Sequence, residues 1–150
     1  MTALQLTARL LQADEREVLA AALAKAGLAA ADLDAPGRLF WRFETPDEMP
    51  IGFGGLEIHG ADALLRSLVI LPPLRRHGHG RASVMLLENE AAQHGCRAVW
   101  LLTTTARAFF ARLGYAACER SAVPQAIRAT QEFAALCPAS ADVMTKRVGE

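Results

Sequence analysis

The chain has 150 residues, 52 % of them hydrophobic, and its 16 basic and 16 acidic residues cancel in charge. That length suffices for one domain that buries roughly 68 to 70 % of the surface its unfolded chain would expose, so a single domain over residues 1–150 is expected. A balanced charge without any Lys/Arg block argues against nucleic acid or an anionic membrane as partner, and leaves small molecules or a second copy of the chain, as in a homodimer.

Met1 to Leu11 alternates apolar with polar residues, unlike the continuous apolar run of a signal peptide. The Ala-rich stretch from Val18 to Ala31 is interrupted by Lys25 and Gly27, short of the ~20 apolar residues a membrane span needs, and a cytoplasmic protein is expected. Cys96, Cys118 and Cys137 are odd in number, widely spaced and without a C-x-x-C, which argues against a disulfide framework and against a zinc site.

In chain order, Leu4, Leu6 and Ala8 alternate like a first strand. Asp14, with Glu17 three residues on, has capping-box spacing for a helix that closes near Gly27. Leu39 to Glu44 and Ile51 to His59 read as strands two and three. In the latter the apolar phase switches from Ile51 and Phe53 to Leu56 and Ile58, which predicts a bulge at Gly54-Gly55. His59-Gly-Ala-Asp62 is a hairpin turn. Strand four, Ala63 to Leu71, is apolar on both faces except at Arg66 and Ser67, as suits a central strand. Arg81 to His94 carries Ala82, Met85, Leu86 and Ala92 on helical spacing with Gly95 as its stop, and strand five runs from Arg97 to Thr103. Pro124 opens a short helix, and Asp142 to Val148 is a last strand. No repeat or linker divides the chain.

Between strand four and the following helix lies Leu68-Val-Ile-Leu-Pro-Pro-Leu-Arg-Arg-His-Gly-His-Gly80, which has the makings of an anion cradle. Two arginines enter a turn whose glycines, Gly78 and Gly80, adopt conformations closed to other residues. Backbone N–H groups there, with the positive end of the helix, suit a phosphate. A triphosphate-binding G-x-x-x-x-G-K-[ST] does not occur, and G-x-G-x-x-G would meet Ser83 in place of its third glycine. The pattern R-x-x-G-x-G from Arg75 to Gly80, after a strand ending L-V-I-x-P, resembles the acetyl-coenzyme A loop of the GNAT N-acetyltransferase superfamily. Val99-Trp-Leu-Leu-Thr-Thr-Thr105, then Ala106 to Leu113 and Gly114-Tyr115, is similar to that superfamily's strand, helix and Gly-aromatic turn. Within it the chain most resembles the acetylating domain of N-acetylglutamate synthases. It also resembles the small acetyltransferases associated with arsenic resistance, whose tails look like Ile127-Arg-x-Thr130, Glu132-Phe133, Leu136-Cys-Pro138, Ser140 and Met144.

That resemblance implies an α/β fold with a mixed, mostly antiparallel central sheet flanked by helices and splayed between strands four and five, and it implies acetyl-coenzyme A as co-substrate, with no metal. Arg75 and Arg76, with the amides of His77, Gly78, His79, Gly80 and Arg81, would bind the diphosphate. Leu68, Val69 and Ile70 would offer the pantetheine arm backbone hydrogen bonds, as a neighbouring strand would. A backbone N–H at the splay would polarise the thioester carbonyl.

Deprotonating an acceptor ammonium calls for a base, and Glu57, late in strand three, is the candidate. It lies diagonal to Arg66, so a cross-strand ion pair is the competing role. His59 sits in the turn. Phe110 stands where many superfamily members have a tyrosine that protonates the leaving thiolate. Tyr115 or water would then serve, or the thiolate leaves unprotonated. The superfamily's frequent asparagine is replaced by Thr103-Thr104-Thr105, with Thr104 a candidate ligand contact and Thr105 an alternative helix cap. Arg66, Ser67 and Arg128 are candidates for an acceptor's carboxylate; alternatively Arg128 is solvated on a packed turn with Ile127 and Phe133. Cys137 alone is poor evidence for an arsenic ligand. Direct transfer of acetyl to the amine of a small amino acid or amino-acid-like compound is the expected reaction. The rivals are acetylation of a protein N-terminus or lysine, which calls for an open acidic groove, and a coenzyme A-binding sensor without turnover.

Overall fold

Residues 6–28, 33, 37–71, 78–130, 133 and 141–149 are described by a computed structural model of the chain. In that range seven strands form one sheet in the order β1-β2-β3-β4-β5-β7-β6. They are β1 Thr7–Leu10, β2 Arg38–Glu44, β3 Pro50–His59, β4 Asp62–Ile70, β5 Ala98–Thr103, β6 Ala116–Cys118 and β7 Asp142–Arg147. All neighbours pair antiparallel except β4 and β5, which run parallel. Helices α1 Arg16–Lys25, α2 His79–Gln93, α3 Arg107–Arg112 and α4 Gln125–Arg128 accompany them, with 3-10 turns over Ala13–Glu15 and Arg120–Ala122. The mixed, mostly antiparallel α/β architecture expected from the sequence is the one observed. Leu4 lies outside the described residues, and no described helix is long and apolar enough to cross a membrane.

Both faces of the sheet are buried, and the period of two decides which layer each residue joins. Trp41, Phe43, Leu56 and Leu65 pack with Val84, Leu87 and Ala91 of α2 and with Phe110 of α3. On the other face Phe40, Phe53 and Val69 pack with Leu19 and Leu23 of α1, and Leu64 and Val143 pack with Ile127 of α4. The predicted contact face of α2 is rotated from the observed one. Met85 is 52 % exposed, whereas Ser83, Val84, Leu87 and Ala91 are buried. Small residues carry half of that inward stripe, so the larger Met85 and Leu86 misdirect a reading by hydrophobicity.

Strand three takes part in two register shifts, and the one at Gly54 falls where the sequence predicts it, though its extra residue lies in the partner strand. One shift sets Phe43 opposite Gly52 and Glu44 opposite Pro50, leaving Ile51 as the extra residue of β3. The other joins the pairs Phe53–Val69 and Gly55–Arg66, so Ser67 and Leu68 of β4 oppose Gly54 alone. The bulge therefore belongs to β4, where Ser67 takes a φ of 59°. Gly54 and Gly55 serve packing instead. A Cβ at Gly54 would meet Leu87 at 2.8 Å, and one at Gly55 would meet the Phe40 ring at 2.5 Å.

The hairpin at His59 to Asp62 is as expected, with Gly60 at a φ of 66°. The capping box, by contrast, sits two residues earlier than Asp14 and Glu17. The Gln12 N–H donates to Glu15 Oε1 at 3.0 Å, and a 3-10 turn over Ala13–Glu15 leads into α1. Glu15 is chosen because Arg9 of β1 donates to both its oxygens, at 3.0 and 2.9 Å, tying helix entry to the sheet edge. Gly27, at a φ of 73°, follows the end of α1 as predicted.

Arg9 holds the Glu15 carboxyl down from its ordinary 4.5 to about 2. A carboxyl depressed on folding stabilises the fold above its unfolded value and loses that contribution as pH falls toward the folded one. Urea unfolding of Glu15→Gln should therefore lie below the parent at pH 7 and converge with it between pH 4.5 and about 2. A constant gap across that window would remove the Arg9–Glu15 pair from the acid response.

Candidate functional site

Strands β4 and β5 pair only through Asp62–Ala98, Ala63–Val99 and Leu64–Trp100. Beyond these pairs they part, and a cavity of about 740 Å³ opens between them. Leu65 to Ile70 line it from β4, and Leu101 to Ala106 line it from β5 and the turn after it. Phe109, Phe110 and Arg112 of α3, Gly78 to Arg81 at the start of α2, and residues 26–28 after α1 supply much of the remainder, His79 excepted. No Asp or Glu occurs among the described lining residues, whereas Arg66, Arg81 and Arg112 do.

Gly78 caps α2 in the left-handed region at a φ of 78°, and His79 begins the helix, largely buried. A Cβ at Gly80 would come within 3.2 Å of the Phe109 ring, so a glycine there lets α2 start against α3. The expected anion-binding amides of Gly78, His79, Gly80 and Arg81 thus belong to the cap and first turn of a 15-residue helix. Arg75, Arg76 and His77 lie outside the described residues, as does Cys137. Leu68, Val69 and Ile70 line the cavity, together with Arg66, Ser67 and Thr104. Arg128 does not. It is exposed on α4 and donates to Gln125 Oε1 at 2.9 Å.

Glu57 is also absent from the cavity wall. At 1 % exposure it accepts from Arg66 Nη1 at 2.8 Å, with Arg38 at 3.6 Å and His59 Nε2 at 3.4 Å from its other oxygen. The cross-strand ion pair read as the competing role is present. Arg66 Nε also donates to Ser67 Oγ at 3.1 Å, and its guanidinium lies 5.8 Å from the Phe40 ring centroid. Arg66 therefore stands between Glu57 and the cavity it lines. His59, with a quarter of its side chain exposed, is the member of this cluster nearest to solvent.

The hydroxyl that steadies the entry to α3 is Thr103 Oγ1, which accepts from the Ala106 N–H at 2.9 Å, not that of Thr105. Thr104 and Thr105 face the cavity instead. Phe110 lines it edge-on to Phe109 and Tyr115, with ring centroids 5.0 and 5.5 Å apart. Tyr115 is turned away: its hydroxyl donates to Glu88 Oε2 at 2.9 Å, and Lys146 binds the same carboxylate at 3.1 Å. Burial first, then the Glu88 charge, pushes the Tyr115 phenol well above its ordinary value. Phe109 and Arg112 are site residues that sequence reasoning misses. The available signal is their three-residue spacing, which places both on one side of α3.

The Acetyltransferase (GNAT) family model matches residues 5–115. Among solved structures, N-acetylglutamate synthase from Neisseria gonorrhoeae complexed with coenzyme A and N-acetyl-glutamate superposes with a TM-score of 0.80 at 16 % identity. The match covers 99 % of this chain but 36 % of that one, so the chain spans about a third of the synthase. Rv2747 from Mycobacterium tuberculosis, in complex with CoA, has a TM-score of 0.76 at 21 % identity over 95 % of this chain and 99 % of that one. Mutant forms of the spermidine/spermine N-acetyltransferase SpeG from Vibrio cholerae have a TM-score of 0.70 at 14 % identity, covering 95 % of this chain and 94 % of that one. At these identities the likeness is one of fold. No curated protein matches the chain.

Tyr115→Phe should cost about 1.5 to 3 kcal/mol of stability, the scale of one buried hydrogen bond to a charged group, while turnover stays at the parent rate. A large loss of turnover in a folded Tyr115→Phe protein would return the phenol to the chemistry.

Proposed function

The chain belongs to the acetyltransferase (GNAT) family, whose acyl donor is acetyl-coenzyme A, and on that premise we propose that it acetylates the amine of a small amino acid or amino-acid-like compound, an arsenical among them. The observation that carries the choice of acceptor is Arg66, which reaches the cavity wall beside Ser67 while no carboxylate occurs among the described lining residues. A wall of that sign suits an acceptor bearing an anionic group, and disfavours a lysine-rich peptide or a polyamine. The synthase similar over 99 % of this chain is complexed with coenzyme A and N-acetyl-glutamate, which supports the same class.

In this reading the chain's residues divide the work. The amides at the start of α2, with Arg75 and Arg76, hold the diphosphate, and the open edge of β4 at Leu68 to Ile70 receives the pantetheine arm. Arg66, beside Ser67 in the bulge, orients the acceptor's carboxylate, and Thr104 contributes a hydroxyl from the opposite wall. The amine nitrogen attacks the thioester carbonyl, so a C–N bond forms as the C–S bond breaks, and no covalent enzyme intermediate is needed. Because Arg66 stands between Glu57 and the cavity, the ammonium proton passes to Glu57 through an intervening water, with His59 leading toward solvent. Phe110 has no proton to give, and Tyr115 already donates to Glu88. The thiolate therefore leaves as such and takes its proton from water, which a thiol's low pKa relative to an alcohol permits.

Glu57→Gln should lower kcat and displace the pH–rate profile to higher pH while sparing acetyl-coenzyme A affinity. A profile that overlays the parent's would leave Glu57 as an ion-pair partner of Arg66 and no more.

A panel of amines with thiol release as the readout tests the acceptor. Amino acids should exceed carboxylate-free amines of equal size, and Arg66→Leu should raise the acceptor KM roughly tenfold or more, the scale of a lost charge-assisted hydrogen bond. Because that change also strips Glu57 of its nearest cation, Arg66→Lys is the companion, keeping the charge but not the planar fork. Carboxylate-free amines that serve equally well would remove this acceptor class, and no thiol release with any amine would favour a coenzyme A-binding sensor.

A further inference from the structure

Resting on the donor assigned above, we propose that Arg81 and Arg112 form a second phosphate site, which holds the ribose 3′-phosphate of coenzyme A apart from its diphosphate. Both arginines line the cavity. Both are exposed, and neither has an ion pair or hydrogen bond to another described residue. Their neighbours contrast with them. Arg66 on the same cavity wall is tied to Glu57, and Arg107 on the same helix as Arg112 faces Asp142 at 3.4 Å. Two guanidinium groups that line one cavity with no carboxylate partner among the described residues form a place for an external anion.

The backbone brings these residues together. Gly80 approaches the Phe109 ring so closely that a Cβ would sit 3.2 Å from it, which sets the first turn of α2 against α3. Arg81 is the next residue on one side of that contact. Arg112 is one helical turn on from Phe109 on the other, so both lie where the two helices meet at the cavity. The diphosphate is already provided for by the helix start and the loop before it. Coenzyme A carries one further phosphate, a monoester on its ribose. A phosphate monoester bears a charge of about −1.5 to −2 near neutrality and presents three acceptor oxygens, which two forked donors match.

Calorimetry with coenzyme A and with 3′-dephospho-coenzyme A, on the parent, Arg81→Ala and Arg112→Ala, tests the proposal. The parent should bind coenzyme A roughly tenfold more tightly than the dephospho form, each variant should lose most of that preference, and Arg112→Ala, which lies outside the diphosphate cradle, should bind the dephospho form as the parent does. Equal affinity of the parent for both ligands overturns the second site and leaves the donor assignment standing. Variants that weaken both ligands by the same factor also overturn it, because the arginines would then engage the diphosphate. If neither ligand binds the parent, the donor assignment itself fails and the second site falls with it.

Discussion

The separation of β4 from β5 is the constraint on which the rest of the molecule depends. A parallel pair that stops after Leu64 and Trp100 leaves backbone donors and acceptors of the inner part of the sheet without a strand to satisfy them. In most folds such an edge is confined to the margin of a sheet, where charge or a short strand blunts it. Here it lies in the middle, four strands from one margin and three from the other. The helices then have a double task, since α2 and α3 must cover the apolar face while keeping the gap open at one end. Gly80 against Phe109 is where they meet this demand, with a contact that no side chain larger than hydrogen would permit without displacement.

The second demand is electrostatic. Glu57 and Arg66 are 1 % and 3 % exposed, and burying such charges costs several kcal/mol apiece before their attraction returns anything. The cluster offsets this with short contacts, a hydrogen bond from Arg66 to Ser67 and the face of Phe40 beneath the guanidinium. A buried pair of this kind contributes more to position than to stability. It fixes the Arg66 fork at the cavity wall in one orientation, which a flexible, solvated arginine would not keep.

Much of this is legible in the chain, because strand periodicity and turn glycines are local signals. The ends of β2 to β5 lie within a residue of where alternation puts them, and the loop before α2 announces itself by composition. Three features are hidden, each for a nameable reason. Glycine often marks bulges and so directs attention to Gly54-Gly55, yet those glycines make way for Phe40, Phe43 and Leu87, while Ser67 takes the positive φ with no glycine to signal it. The inner face of α2 is built of Ser83 and Ala91 as much as of Val84 and Leu87, and hydropathy ranks those small residues below Met85. The location of Arg112 at the cavity depends on the contact between α2 and α3, which no single segment encodes.

The bulge in β4 bears on the course of the strand and not on which layer each side chain joins. Ser67 and Leu68 share the place opposite Gly54, and beyond them Val69 lies in the layer of α1, beside Phe40 and Phe53, while Leu68 and Ile70 turn toward that of α2. Loss of one of the two residues opposite Gly54 would leave Val69 against Phe53 and both layers as they are, and would remove the bend. β4 would then run straight along the cavity where it now turns aside, so a deletion here reshapes the ligand wall and spares both packed faces.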